Sequence, residues 1–161
     1  MMKIAVGSDH AGYGIKQAVI EAVEEAGHQA IYLGVDEPTR VDYPDYGRLV
    51  GEAILSGNAD RGIAICGSGV GMCITVNKMR GIYGCLCHDT YSAHQGVEHD
   101  GMNVLCLGGL IIGNELAKEI VKAFVGAQFF NSGNYLKRVL KFKAIEDQYL
   151  GQTGREEKLN E

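Results

Sequence analysis

Short apolar runs alternate with amphipathic stretches along most of the chain. Residues 3–7 read as a strand, followed by a helix in which Ile15, Val19 and Val23 recur at four-residue spacing while Lys16, Glu21, Glu24 and Glu25 face out. Gly27 ends that helix. Residues 29–33 are a second strand, the segment holding Pro38 and Pro44 a loop, 46–55 a second helix and 62–66 a third strand. A helix over 70–78, a strand over 82–87, a short helix over 90–98 and a strand over 103–107 complete the alternation. Residues 113–125 and 135–149 read as C-terminal helices, and the polar segment 151–161 as a disordered tail.

Each strand is thus followed by a helix, and the strands are apolar on both faces. That pattern predicts an α/β fold of Rossmann-like type: a doubly wound parallel sheet of about five strands with helices on both faces, joined by right-handed crossovers. Residues 1–150 are expected to form one domain, a size sufficient to bury a real core. In such sheets ligands bind outside the carboxyl ends of the strands, near the point where strand order reverses. The rule selects the segment Ser8-Asp9-His10 after strand one and Cys66 after strand three; Glu98-His99-Asp100 precedes strand five.

The third strand ends in Cys66 and breaks at once into Gly67-Ser68-Gly69-Val70-Gly71. Glycines allow positive φ and close approach of a ligand to the backbone, and the helix opening at Val70 adds a positive dipole end. A thiol and a set of oriented N–H groups would then share one turn. A phosphate-binding Walker loop needs G-x-x-x-x-G-K-[ST] and a dinucleotide turn needs G-x-G-x-x-G, whereas this chain has G-x-G-x-G with no lysine at the helix start. Neither nucleotide signature fits. Taken singly, Cys66 also reads as a core thiol, Asp9 as a helix cap and His99 as a solvated loop histidine.

Composition narrows the partners. The chain is 46% hydrophobic and 22% charged with a formal net charge of −5, and it has no long basic run, so neither nucleic acid nor an acidic membrane surface is expected as a partner. No apolar stretch approaches membrane-spanning length and no secretory leader pattern opens the chain, which points to a cytoplasmic protein. Five cysteines then read as free thiols rather than a disulfide framework. Cys85 and Cys87 are read as facing opposite sides of a strand and as poor joint ligands for one metal. His94, Glu98 and His99 cluster, but their order is one residue off the zinc signatures H-E-x-x-H and H-x-x-E-H, so no metal is expected.

Several separated motifs carry a family resemblance. VGSDHAG near the N-terminus, TRVDYPDYG at 39–47, ICGSGVGM at 65–72, VNKMRGI at 76–82, HDTYSAHQGVEHDGMNVLCLGG at 88–109 and the GNELAKEIVKAF helix together resemble type B ribose-5-phosphate isomerase and its galactose-6-phosphate and allose-6-phosphate isomerase relatives. The resemblance covers residues 2–147. It implies an aldose–ketose isomerase that works through an enediolate without metal or organic cofactor. It also implies a homodimer or dimer of dimers, with active sites built across the interface.

By that resemblance Cys66 is the catalytic base and His99, from the partner subunit, opens the sugar ring. Asp9, His10 and Tyr43 contact the substrate, and Gly67, Ser68, Gly69, Val70 and Gly71 cradle the enediolate oxygen. The chemistry suits these residue types: isomerisation needs one base that takes and returns a proton, donors aimed at the oxygen gaining charge, and an acid/base group near neutrality for ring opening. The chain departs from the family at Ser68, usually threonine, and at Asp100, a substrate-contact position that is usually asparagine. Of three family arginines around the phosphate, the first falls on Leu110, the second on or near Asn134 and only Arg138 is retained. An arginine fork binds phosphate bidentately, so these changes point to Lys137 or Lys141 as replacements, or to another sugar, phosphorylated or not. A non-catalytic sugar-binding module is the reading from a different class, and intact Cys66, His99 and Asp9 argue against it.

Overall fold

A computed structural model describes residues 1–150; the tail expected to be disordered lies outside them. The elements run β1 (Lys3–Ser8), α1 (Tyr13–Glu25), β2 (Gln29–Tyr32), α2 (Tyr43–Leu55), β3 (Arg61–Cys66), α3 (Val70–Val76), β4 (Gly84–Leu86), α4 (Thr90–Asp100), β5 (Val104–Gly108), α5 (Asn114–Gly126) and α6 (Gly133–Tyr149). All strand pairs are parallel, in the order β2-β1-β3-β5-β4. The chain winds one way from β1 to β2 and the other way to β3, so the order reverses at the β1–β3 boundary. The expected doubly wound sheet is present.

The sheet separates two apolar layers. Ile15, Val19, Val97, Ile120 and Phe124 from α1, α4 and α5 pack on one face; Val50, Met72, Val76 and Ile82, from α2, α3 and the segment after α3, pack on the other. Burial of these side chains at roughly 25 cal/mol per Å² is the main force holding helices to sheet. Lys118 reaches Glu21 at 2.8 Å and Lys122 reaches Glu25 at 2.7 Å, joining the outer edges of α5 and α1. α6 is different in kind. Of its residues only Val139 is buried, and its far end is tied down by polar contacts: Glu146 accepts from Tyr83 and from the Gly81 N–H, and Asp147 pairs with Arg80.

Four details depart from the sequence reading. Pro44 belongs to the first turn of α2 rather than to a loop, because the first helical positions need no N–H partner and suit a fixed φ. His99 lies in the last turn of α4, which runs on to Asp100 before Gly101 stops it at φ 67°. β4 is shorter than its apolar run. Cys85 and Cys87 do not face opposite sides, since strand positions two apart share a face. Cys85 is exposed while Cys87 packs into the α4 layer, and a hydrogen bond between the two thiols lowers Cys85 to about 7 and pushes Cys87 far up.

β4 is also an outer edge, and one side chain occupies it. The Asn77 carboxamide donates to Gly84 O at 2.8 Å and accepts the Gly84 N–H at 3.0 Å, filling both ladder positions of that residue. Asn77→Ala is therefore expected to lower stability by about 1–2 kcal/mol in urea unfolding. Amide exchange should quicken at Gly84 while Leu105 in β5 keeps its protection; equal protection at Gly84 in both proteins would refute the assignment.

Candidate active site

The carboxyl ends of β1, β3 and β5 build one cluster. Register pairs Ser8 with Ile65 and Cys66 with Gly108, and the Asp9 N–H continues the first ladder to Ile65 O at 3.1 Å. Asp9 thereby sits beside Cys66. The β3–β5 ladder also continues into the loops, with Gly109 N–H on Cys66 O at 2.8 Å and Leu110 N–H on Gly67 O at 3.0 Å. Glycine is required where these backbones meet: a Cβ on Gly12 would lie 2.8 Å from the Ile65 carbonyl, and one on Gly109 would lie 2.8 Å from Ala11 O.

Cys66 is 95% buried by its 5% exposure, and its Sγ accepts the Gly69 N–H at 3.2 Å. The turn is shaped by Gly69, whose φ of 79° is left-handed and whose missing side chain leaves room for Leu86 and the Leu107 backbone. Ser68 is exposed and its Oγ accepts the Val70 N–H at 3.3 Å. Tyr43, the first residue of α2, lays its ring where a Cβ on Gly71 would stand. So the spacing of Gly67, Gly69 and Gly71 has separate causes: the turn's hand at 69, a ring's seat at 71 and the neighbouring loop at 67, where Leu110 packs.

Asp9 is almost wholly buried, and among the described residues no cationic side chain pairs with it. Its Oδ1 instead accepts the N–H groups of Ala11 and Gly12, both at 2.9 Å. The N-cap of α1 is Gly12 with no side-chain cap, so Asp9 organises the turn before the helix rather than capping the helix itself. His10 Nδ1 accepts the Val41 N–H at 3.3 Å, leaving Nε2 as its other contact atom. His88, given no role by the sequence reading, holds the same cluster: its Nε2 accepts the Gly108 N–H at 3.0 Å, directly across from Cys66. The only sequence signal was its place at the end of an apolar strand.

His99 is elsewhere. α4 delivers it to the amino end of β5, and from Val104 to Gly108 that strand rises about 13 Å at roughly 3.3 Å per residue. Its ring lies 4.5 Å from Tyr135 and 5.8 Å from Phe130, centroid to centroid. Tyr135 opens α6, the helix that also carries exposed Asn134 and Arg138. The candidate residues therefore form two groups. Asp9, His10, Tyr43, Cys66 and the 67–71 turn are together at the carboxyl end with Leu110; His99, Asp100, Asn134 and Arg138 belong to α4 and α6.

A cavity of about 380 Å³ opens between β4, α4 and α6, lined by Tyr83, Cys85, Gln95, Asp100 and Phe142 among others, and it includes none of the 67–71 turn. Cys73, on the opposite face of the sheet, is lowered to about 6, chiefly by a hydrogen bond with the buried Cys106 thiol. Among the described residues no three His, Cys, Asp or Glu side chains converge as a metal-holding group; His94 pairs with Glu98 at 2.9 Å.

Comparison with known proteins bears on this geometry. A family model described as Ribose/Galactose Isomerase matches residues 4–142. Ribose-5-phosphate isomerase B of Escherichia coli is 42% identical over 146 residues, 91% of this chain and 97% of that protein. D-erythrulose-4-phosphate isomerase of Pectobacterium atrosepticum is 39% identical over 136 residues, 83% of this chain and 89% of that protein. The structure of Clostridium thermocellum ribose-5-phosphate isomerase B superposes with a TM-score of 0.87 at 41% identity, covering 92% of this chain and 99% of that one.

Gly69 tests the turn directly. Gly69→Ala combines left-handed strain with overlap against Leu86 and the Leu107 backbone. It should cost at least ~2 kcal/mol in denaturant unfolding. Wild-type stability in that variant would show that the turn does not need its present hand.

Proposed function

The chain belongs to the Ribose/Galactose Isomerase family, and on that premise we propose that it is a cofactor-independent aldose–ketose isomerase interconverting ribose 5-phosphate and ribulose 5-phosphate. The observation that carries this reading is a buried thiol at the end of β3, held by an N–H of the turn that would receive the developing oxyanion. The Cys66 thiolate takes the proton from C2 of the opened aldose. Charge gathers on the carbonyl oxygen, where amides of the 67–71 turn are preorganised to receive it. The same thiol returns the proton to C1 as the O2 hydroxyl proton passes to O1, which leaves the carbonyl at C2. Asp9 and His10, fixed beside Cys66 by backbone hydrogen bonds, bind the sugar hydroxyls, and Tyr43 closes the side formed by α2.

Ring opening falls to His99, and the separation of His99 from Cys66 by a strand's length within one chain supports a site completed by a second copy. In a homodimer, alone or paired into a tetramer, the partner would bring its α4 and α6 residues to the open carboxyl end. Exposed Leu110, Ile111, Val70 and Ile74 surround or follow that end and give such an interface apolar area. A cytoplasmic setting, where thiols stay reduced, suits the five free cysteines. The domain of this reading is residues 1–150, with Arg138 as a phosphate contact.

A second substrate has its own support. Leu110 is 77% exposed beside Gly67 and offers no charge, and Asp100 adds a carboxylate where an anionic substrate end would be received. Another sugar phosphate, such as allose 6-phosphate, galactose 6-phosphate or a tetrose phosphate, or an unphosphorylated sugar, is the reading these positions favour. Turnover across a sugar panel distinguishes the two. A binding module without catalysis would turn over none.

With ribose 5-phosphate, Cys66→Ala is expected to fold normally and lose at least ~10²-fold in kcat, the usual contribution of a positioned base, with a chelator leaving the wild type unaffected. Near-normal turnover in Cys66→Ala would remove the thiol from the mechanism. Mixing inactive Cys66→Ala with inactive His99→Ala under subunit exchange should restore part of the activity through hybrid sites. Proven exchange without recovery would exclude the shared site.

A further inference from the structure

Two histidines on α4 are each bonded to a side chain one turn away, and the partners differ in kind. His94 Nδ1 meets the Glu98 carboxylate at 2.9 Å, whereas His99 Nδ1 meets the Gln95 carboxamide at 2.7 Å. We propose that Gln95 is a positioning residue for His99, holding its imidazole so that Nε2 alone faces the reacting sugar and can act in turn as proton donor and acceptor. The proposal rests on the reading that His99 opens the sugar ring.

The geometry around the ring is restrictive. Tyr135 at 4.5 Å and Phe130 at 5.8 Å confine the imidazole plane, and Phe130 is itself fixed by its N–H on Glu98 O at 2.8 Å. With the ring so placed, the Gln95 bond decides its remaining freedom, rotation about the Cβ–Cγ axis. α4 supplies the spacing, since residues four apart share a face.

The choice of an amide has a chemical consequence. Ring opening removes the proton from the anomeric hydroxyl and delivers one to the ring oxygen, breaking the bond between that oxygen and C1. One nitrogen can do both if the imidazole is stable with and without a proton there. The relay runs from the Nδ1–H tautomer, in which a bare Nε2 takes the anomeric proton and the resulting imidazolium passes it to the ring oxygen; the carboxamide, turned so that its oxygen faces the ring, accepts from Nδ1–H throughout. A carboxylate would only accept and would favour the imidazolium. Along the chain the titratable neighbours are Glu98, engaged by His94, and Asp100, which lines the adjacent cavity; α6 offers Tyr135 and, one turn further, Arg138.

The test uses full-length protein labelled with ¹⁵N-histidine, and ribose 5-phosphate as substrate. Gln95→Leu should lower kcat about 10-fold, the rate equivalent of one lost hydrogen bond, with KM within about twofold. The His99 ring-nitrogen shifts should move toward those of a free imidazole. Gln95→Glu keeps the hydrogen bond, should recover much of kcat above neutrality, and should move the acidic limb of the pH–rate profile to higher pH because a carboxylate stabilises the imidazolium. Unchanged ring-nitrogen shifts, or an unchanged rate and pH profile, in Gln95→Leu would overturn the positioning role. Full activity in His99→Ala would instead overturn the ring-opening reading, whatever the Gln95 variants show.

Discussion

The hydrogen-bond ladder between β3 and β5 does not stop where the strands stop, and most of the site hangs on that continuation. Gly109 N–H on Cys66 O and Leu110 N–H on Gly67 O carry the pairing two residues into the loops. A loop segment so zipped cannot drift relative to the sheet. The thiol inherits the sheet's rigidity while the turn beside it aims an amide, the Gly69 N–H, at the sulfur, a combination that neither a regular strand nor a free loop offers. The β1 turn is bound into the same edge through Asp9, and Gly12 and Gly109 let three backbones approach more closely than side chains would permit.

The elements of this fold were legible because each obeys one period. The four-residue recurrence of Ile15, Val19 and Val23 became the buried stripe of α1, and the apolar run ending at Cys66 became the central strand. Boundaries were less legible where two signals competed. Pro44 signals a turn and a helix start equally well, and the apolar stretch around β4 continues past the residues that pair. The Cys85 and Cys87 reading failed on the strand period itself.

Within the site, residues adjacent to strand ends could be read from the sequence; those defined by contacts could not. Cys66, Asp9 and the glycine turn follow from the rule that parallel sheets bind ligands at their carboxyl ends. Gln95 carries no such signal and His88 only its place after the fourth strand, since what distinguishes them is one hydrogen bond each, to His99 and to Gly108. Resemblance named His99 and Arg138, but the distance separating them from Cys66 emerges only from topology. α4 and α6 also explain why these residues lie together: the ring of Tyr135 packs tilted against His99, 4.5 Å between centroids.

The Asn77 carboxamide at Gly84 has a meaning beyond the stability of one strand end. An open parallel sheet exposes a row of unpaired peptide groups at its margin, which is a template for growth by addition of another chain. At β4 that template is interrupted by a side chain imitating a peptide unit, a false strand one residue long. A strand arriving at β4 would have to displace this side chain before it could pair with Gly84, which blunts that margin against fibre-like growth.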